Sequence, residues 1–227
     1  MHDVCICPPA IFVLGFSERS TLSGDGGRRR DKAMGTLCYT ATISLDGYVA
    51  DADGDFQWSA PDDEVFRFHV ERMGPVSHEI LGRHTYELMR YWYSDPDDEG
   101  WGPDEREFAR RWRELGLIVV SSTLTTDELQ SPHDRLLEDL DLRDLRAIVE
   151  DAPGEVEIFG PTTATLAIRA GMVSDFRFFV VPKVVGGGLS ALPRDAELDL
   201  DLVEHRQFGA TAYLHYRPAG DSGRTSG

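Results

Sequence analysis

Leu117-Ile118-Val119-Val120 is apolar at every position. A strand with that pattern is buried on both faces, and such strands belong to parallel sheets covered by helices on either side. The rest of the chain supplies both parts. Strand-like runs occupy 37–43, 76–81, 156–159 and 176–181. Helix-like segments separate them over 61–73, from Thr85 onward, and over 104–115, 141–150 and 162–170. Pro61 suits a first helical turn, with Asp62, Asp63 and Glu64 at its positive end. Leu142, Leu145, Ile148 and Val149 share one side of the 141–150 segment. Two late runs, 198–208 and 210–216, flank Gly209 and read as an antiparallel hairpin. The order predicts an α/β fold with a mostly parallel sheet and an antiparallel edge.

The ends of the chain lack this patterning. Residues 17–32 are rich in Ser, Gly, Arg and Asp without helix or strand period, so 1–33 is expected to be a disordered extension, or Met34 the natural start. A single domain is expected over 34–217, with a frayed tail at 218–227. The apolar run 10–16 is too short to span a bilayer, and its basic residues follow it rather than precede it, which makes a poor signal peptide.

Charge narrows the function. Lys plus Arg number 23 and Asp plus Glu 40, a net charge of −17. Such a surface argues against general binding of nucleic acid or anionic membrane. An anionic ligand would need a local cationic pocket. Cys5, Cys7 and Cys38 form no disulfide framework and suit a reducing cytoplasm. No Cys or His pair with zinc-type spacing completes Cys5-Ile6-Cys7, so no metal site is expected. Asp51, Asp53 and Asp55 have the spacing of a calcium loop, but Gly54 and the missing later glutamate break the pattern in favour of a solvated loop.

Ligands of such sheets sit beyond the carboxyl ends of the strands. Three strand ends carry phosphate-friendly residues: Gly82-Arg83-His84-Thr85, Ser121-Ser122-Thr123 and Gly160-Pro161-Thr162-Thr163. A helix N-terminus favours an anion, and an arginine beside it grips phosphate at two points. Each turn alone reads equally as a plain strand-to-helix connection. Together they point to a dinucleotide site.

These residues also carry a family resemblance. Ser44-Leu45-Asp46-Gly47-Tyr48-Val49-Ala50, Leu81-Gly82-Arg83-His84-Thr85-Tyr86-Glu87, Ile158-Phe159-Gly160-Pro161 and Val184-Val185-Gly186-Gly187-Gly188 follow one another in order. From 37 to 216 the chain resembles the dihydrofolate reductase-like superfamily, and within it the branch of the RibD C-terminal domain of riboflavin biosynthesis. The resemblance implies a three-layer α/β fold and an NADPH-dependent reductase of a pyrimidine or pteridine-type small molecule. By the same resemblance Arg83 and Ser121 hold the adenosine 2′-phosphate, and His84 and Thr85 meet the pyrophosphate. Gly160, Thr162 and Thr163 form a second anion cradle, with Gly82, Ser122 and Pro161 in the same turns. Asp63 falls where the folate enzymes place their substrate-binding acid, and Asp46 is a second candidate. As plain chemistry, Asp63 reads equally as a first-turn helix acid and Asp46 as a loop cap. An aromatic wall from Trp58, Phe66 or Tyr48 beside the acid would favour the enzyme, although Trp58 and Phe66 read by default as core or loop-packing aromatics, and the loop 91–103, with Trp92 and Trp101, reads as a lid or a solvated loop. Pairing as a homodimer is also implied.

Two departures from the family pattern stand out. Phe159 replaces an acidic residue before the double glycine, and Pro161 replaces its second glycine. Proline lacks an N–H but lowers the cost of a cis peptide, so a cis Gly160-Pro161 bond is expected. No zinc motif of a deaminase half appears, so a bifunctional chain is not expected. A non-catalytic nucleotide-binding protein and an interaction protein with an acidic patch remain as alternatives.

Overall fold

The computed structural model of the chain describes residues 35–94 and 100–220. The expectations for 1–33 and for the last residues of the tail lie outside them. Strands β1 (Leu37–Ser44), β3 (Val76–Gly82), β4 (Gly116–Val120), β5 (Arg135–Leu137), β6 (Glu155–Phe159) and β7 (Asp175–Val181) run parallel in one sheet, with β9 (Leu200–Phe208) and β10 (Thr211–Pro218) added antiparallel. The order is β5-β4-β3-β6-β1-β7-β10-β9. Two short strands, β2 (Tyr48–Ala50) and β8 (Leu189–Ser190), pair separately. With β5, these are the strands that sequence periodicity missed. Each is no longer than three residues, too short to show alternation.

Among the described residues five α-helices make the outer layers: α1 (Asp63–Arg72), α2 (Arg83–Met89), α3 (Pro103–Arg113), α4 (Leu142–Asp151) and α5 (Pro161–Arg169). Ile80, Ile118 and Ile158 pack with Leu145 and Ile148 of α4 and Ala164 and Ala167 of α5. Leu81, Leu117 and Val119 point the other way, against Phe66 and Val70 of α1, Tyr86 of α2 and Trp112 of α3. Neighbours on β4 thus enter opposite cores, as its unbroken apolar run requires.

The second face also buries charge. Glu157 Oε1 accepts hydrogen bonds from Thr40 Oγ1 at 2.9 Å and Arg72 Nη2 at 2.8 Å. Arg177 grips Glu155 through Nη1 at 2.7 Å and Nη2 at 3.0 Å. These pairs link β1, β6, β7 and α1 across the sheet.

Two expectations are corrected. No cis peptide occurs among the described residues, so the Gly160-Pro161 bond is trans. Gly160 makes the turn instead, with φ of 84° and ψ of 129°, and Pro161 becomes the first residue of α5. The 91–103 connection is not an open lid over its described part. Trp92 and Trp101 are 7% and 3% exposed and pack with Phe66 and Phe108. Trp101 Nε1 donates to Tyr91 Oη at 2.7 Å. Residues 95–99 lie outside the described set.

Candidate functional site

Helix starts differ in a telling way. Asp62 caps α1 by accepting from the backbone N–H groups of Glu64 and Val65, and Asp141 caps α4 from those of Arg143 and Asp144. α2, α3 and α5 have no side-chain cap, and of these only α2 and α5 start at the cleft described below. Their first N–H groups are therefore left for a ligand or water. These two N-termini also meet. A Cβ on Gly82 would lie 2.7 Å from Thr163 Oγ1, and one on Gly160 would lie 3.6 Å from Thr85 Oγ1 and 3.8 Å from Thr163 Oγ1. Glycine at 82 lets the two turns approach, and glycine at 160 supplies the positive φ.

The meeting point lies in a cleft of roughly 1530 Å³ at the carboxyl ends of the parallel strands. Of the residues expected to bind a cofactor, Gly82, Arg83, His84, Thr85, Ser121, Ser122, Gly160, Pro161, Thr162 and Thr163 all line it. Arg83 is exposed and held from two sides. Its Nε donates to Glu87 Oε1 and its Nη1 to Thr123 Oγ1, both at 2.7 Å. Nη2 has no partner among the described residues. Ser121 Oγ is engaged by its own turn, accepting from Thr123 N at 3.2 Å and Leu124 N at 3.0 Å. Thr123, rather than Ser121, is therefore the hydroxyl that touches Arg83. His84 sits edge-on to Phe56, with ring centroids 6.3 Å apart.

The structure does not bring Asp63 or Asp46 into the cleft. Asp63 is exposed in the first turn of α1. Asp46 is exposed and accepts from Val185 N at 3.2 Å and Gly186 N at 2.8 Å. Hydrogen bonds from Ser44 and from these backbone groups hold its carboxyl below the usual range. Asp46 thus pins the glycine-rich loop. A Cβ on Gly188 in that loop would run into the Ala50 carbonyl, so glycine lets the loop close against β2. Asp51 Oδ1 accepts from Asp53 N at 3.0 Å and Asp55 N at 2.9 Å, an Asx turn that accounts for the Asp-rich spacing.

Trp58, Phe66 and Tyr48 are absent from the cleft lining. Its aromatic residues are Tyr39, Phe56 and Phe159. Several lining residues carry no local motif: Glu138 and Asp139 after β5, Thr40 and Thr42 on β1, and His69 on α1. Only the helical period of α1 signalled that His69 faces inward, one turn after Val65 and Phe66. Burial, with Arg72 adding to it, lowers the His69 pKa to about 3, so the imidazole is neutral.

Residues 36–214 match the model of the RibD C-terminal domain. The chain belongs to this family. It is similar in fold to a putative riboflavin biosynthesis protein from Shewanella sp. PV-4, at 20% identity and a TM-score of 0.61, over 82% of this chain and 99% of that one. It also resembles a diaminohydroxyphosphoribosylaminopyrimidine deaminase/5-amino-6-(5-phosphoribosylamino)uracil reductase from Thermotoga maritima. There the identity is 17% and the TM-score 0.55, over 83% of this chain and 58% of that longer one. A dihydrofolate reductase from Enterococcus faecalis, solved with NADP(H), matches at 13% identity and a TM-score of 0.53, over 82% of this chain and 98% of that one. No curated protein matches the chain. Among the described residues no helix is long and apolar enough to cross a membrane.

Proposed function

We propose that this RibD C-terminal domain protein is an NADPH-dependent reductase of a small heterocyclic molecule of pyrimidine or pteridine type. One observation carries the reading: two uncapped helix N-termini meet at the foot of a cleft whose rim holds Arg83. The fit to a dinucleotide phosphate follows from the donor set. The free N–H groups of α2 and α5 suit pyrophosphate, with Thr85 and Thr163 hydroxyls beside them. Arg83 Nη2 is available for a further phosphate, and Glu87 and Thr123 fix the plane of its guanidinium. Pro161 gives no N–H, so the cradle on α5 begins with Thr162 and Thr163. The Enterococcus faecalis neighbour with NADP(H) and the reductase name of the Thermotoga maritima neighbour support the same reading.

When bound, NADPH supplies a hydride to an electron-poor ring carbon, and a proton from solvent completes the reduction. The chain's part is to bind, orient and screen. Phe159 gives the cleft an apolar wall, and the Gly188 loop closes its side against β2. A non-catalytic NADPH-binding protein is the second reading, favoured by the exposed positions of Asp63 and Asp46. Absorbance at the NADPH band, followed with pyrimidine and pteridine substrates, separates the two. Oxidation above the substrate-free rate supports the reductase. NADPH binding without oxidation by any of them supports the binding protein.

A further inference from the structure

The cleft changes character along the sheet. It crosses the carboxyl ends of β1, β6, β3, β4 and β5, in the order these strands take in the sheet. Thr40 and Thr42 lie on β1, and the paired starts of α5 and α2 follow β6 and β3. Thr123, which holds Arg83, follows β4. Glu138 and Asp139 follow β5, at the edge, and line the same cleft. Ser121 N donates to Leu137 O at 2.8 Å, so the two acids leave the sheet directly beside the 121–123 turn. Neighbouring strands are about 4.8 Å apart, which puts the end of β5 about 10 Å from the end of β3. Both acids are exposed, as most acids on this chain are. What sets these two apart is their place, at one end of a cleft whose glycine, arginine and threonine turns favour an anion.

We propose that Glu138 and Asp139 select the base of the dinucleotide by accepting a hydrogen bond from the 6-amino group of adenine. This rests on the NADPH reading above. Arg83 marks the adenosine half, which carries the further phosphate, and the base lies one sugar beyond it, towards β5. Carboxylates repel phosphate, so this end suits the uncharged base. The amino group is the one N–H donor of adenine once the sugar is attached, and a carboxylate only accepts. Asp139 Oδ1 accepts from Leu140 N at 2.9 Å, which leaves Oδ2 for the ligand. Glu138 makes no hydrogen bond among the described residues. Leu166, 36% exposed and one turn past Thr162 on α5, adds an apolar surface to the lining for the flat face of a base. Hypoxanthine carries its donor at position 1 and a carbonyl at position 6, so it sets an acceptor against acceptors.

The test is calorimetric titration of the full chain with NADPH and with its hypoxanthine analogue. Wild type should bind NADPH about tenfold more tightly, the scale of one well-made hydrogen bond. In the double variant Glu138→Gln with Asp139→Asn, the amides turn an N–H towards the carbonyl, and the preference should fall to within about threefold. Melting curves check that the variant is folded. If it is not, Glu138→Gln alone carries the test, because it breaks no hydrogen bond among the described residues, and the preference should fall by about threefold. Equal binding of the two dinucleotides by wild type overturns the proposal. So does a preference that survives unchanged in the folded variant. In both cases NADPH still binds, and only this proposal falls. If wild type binds neither dinucleotide, the reductase reading falls with it.

Discussion

Gly82 and Thr163 meet so closely that a single methyl group at 82 would stand 2.7 Å from the Thr163 hydroxyl. The contact joins the start of α2 to the start of α5 and sets the spacing between them. Gly82 has φ of −70°, so alanine is allowed by the backbone and the effect is steric alone. Gly82→Ala should weaken NADPH binding about tenfold, with a stability change within about 1 kcal/mol because Thr163 can change rotamer. Fluorescence titration and a urea melt of the same preparation check both halves.

Gly160 tests the backbone rather than the space. A Cβ there meets nothing closer than 3.6 Å, but φ is 84°. Gly160→Ala should therefore cost about 1–3 kcal/mol through strain. Pro161 is at the first position of α5, where its missing N–H breaks no helical bond. Pro161→Ala should change stability by less than about 1 kcal/mol. Urea denaturation of the two variants side by side measures the contrast.

Glu79 on β3 lies in register with Glu157 on β6, and both carboxyls are buried. Burial, then the Glu157 charge, raises the Glu79 pKa to about 8, against a hydrogen bond from Trp112 Nε1 that lowers it. An unfolded chain loses this proton at an ordinary glutamate pKa, whereas the folded chain keeps it up to about 8. The folded state binds more protons across that interval, so stability falls as pH rises through it. Glu79→Gln removes this loss and keeps an acceptor for Trp112. The variant should gain about 1–3 kcal/mol over wild type at pH 8 and little at pH 5. Melts at the two pH values give the sign.

Asp134 ties the loop after β4 to α2 and its extension. Tyr86 Oη donates to it at 3.0 Å, and Tyr93 Oη at 2.8 Å. Tyr86 Oη also accepts from Gln130 N at 2.8 Å. Asp134→Ala leaves the buried Tyr86 phenol and the half-buried Tyr93 phenol without this acceptor and should cost about 1–3 kcal/mol. Tyr93→Phe should cost about 1 kcal/mol. Because this loop carries Thr123, the Asp134 variant should also loosen Arg83 and weaken NADPH binding, which the same titration reads.

The sheet was legible because its long strands alternate or run wholly apolar and its helices keep their period. The two-sided burial of Leu117-Ile118-Val119-Val120 held residue by residue. The turns that line the cleft were legible because glycine, arginine and threonine cluster at strand ends. The placement of Asp63 was not. Asp63 shares the sequence signature of an inward acid, yet its place in the first turn of α1 leaves it in solvent. His69, two turns on, points inward, and nothing local distinguishes it from a core histidine. The Gly160-Pro161 turn misled for a related reason. A positive φ at glycine reaches the same reversal without a cis bond, and sequence does not separate the two solutions.

NADPH binding by the paired helix starts and Arg83 is the core of the proposed function. Its most direct test is an NADPH titration by tryptophan fluorescence on wild type and Arg83→Ala, with NADH as control. Wild type should bind NADPH, and Arg83→Ala should lose about tenfold or more for NADPH while its NADH affinity barely moves. Folded wild type that fails to bind NADPH, or an Arg83→Ala variant that binds it unchanged, would contradict the account.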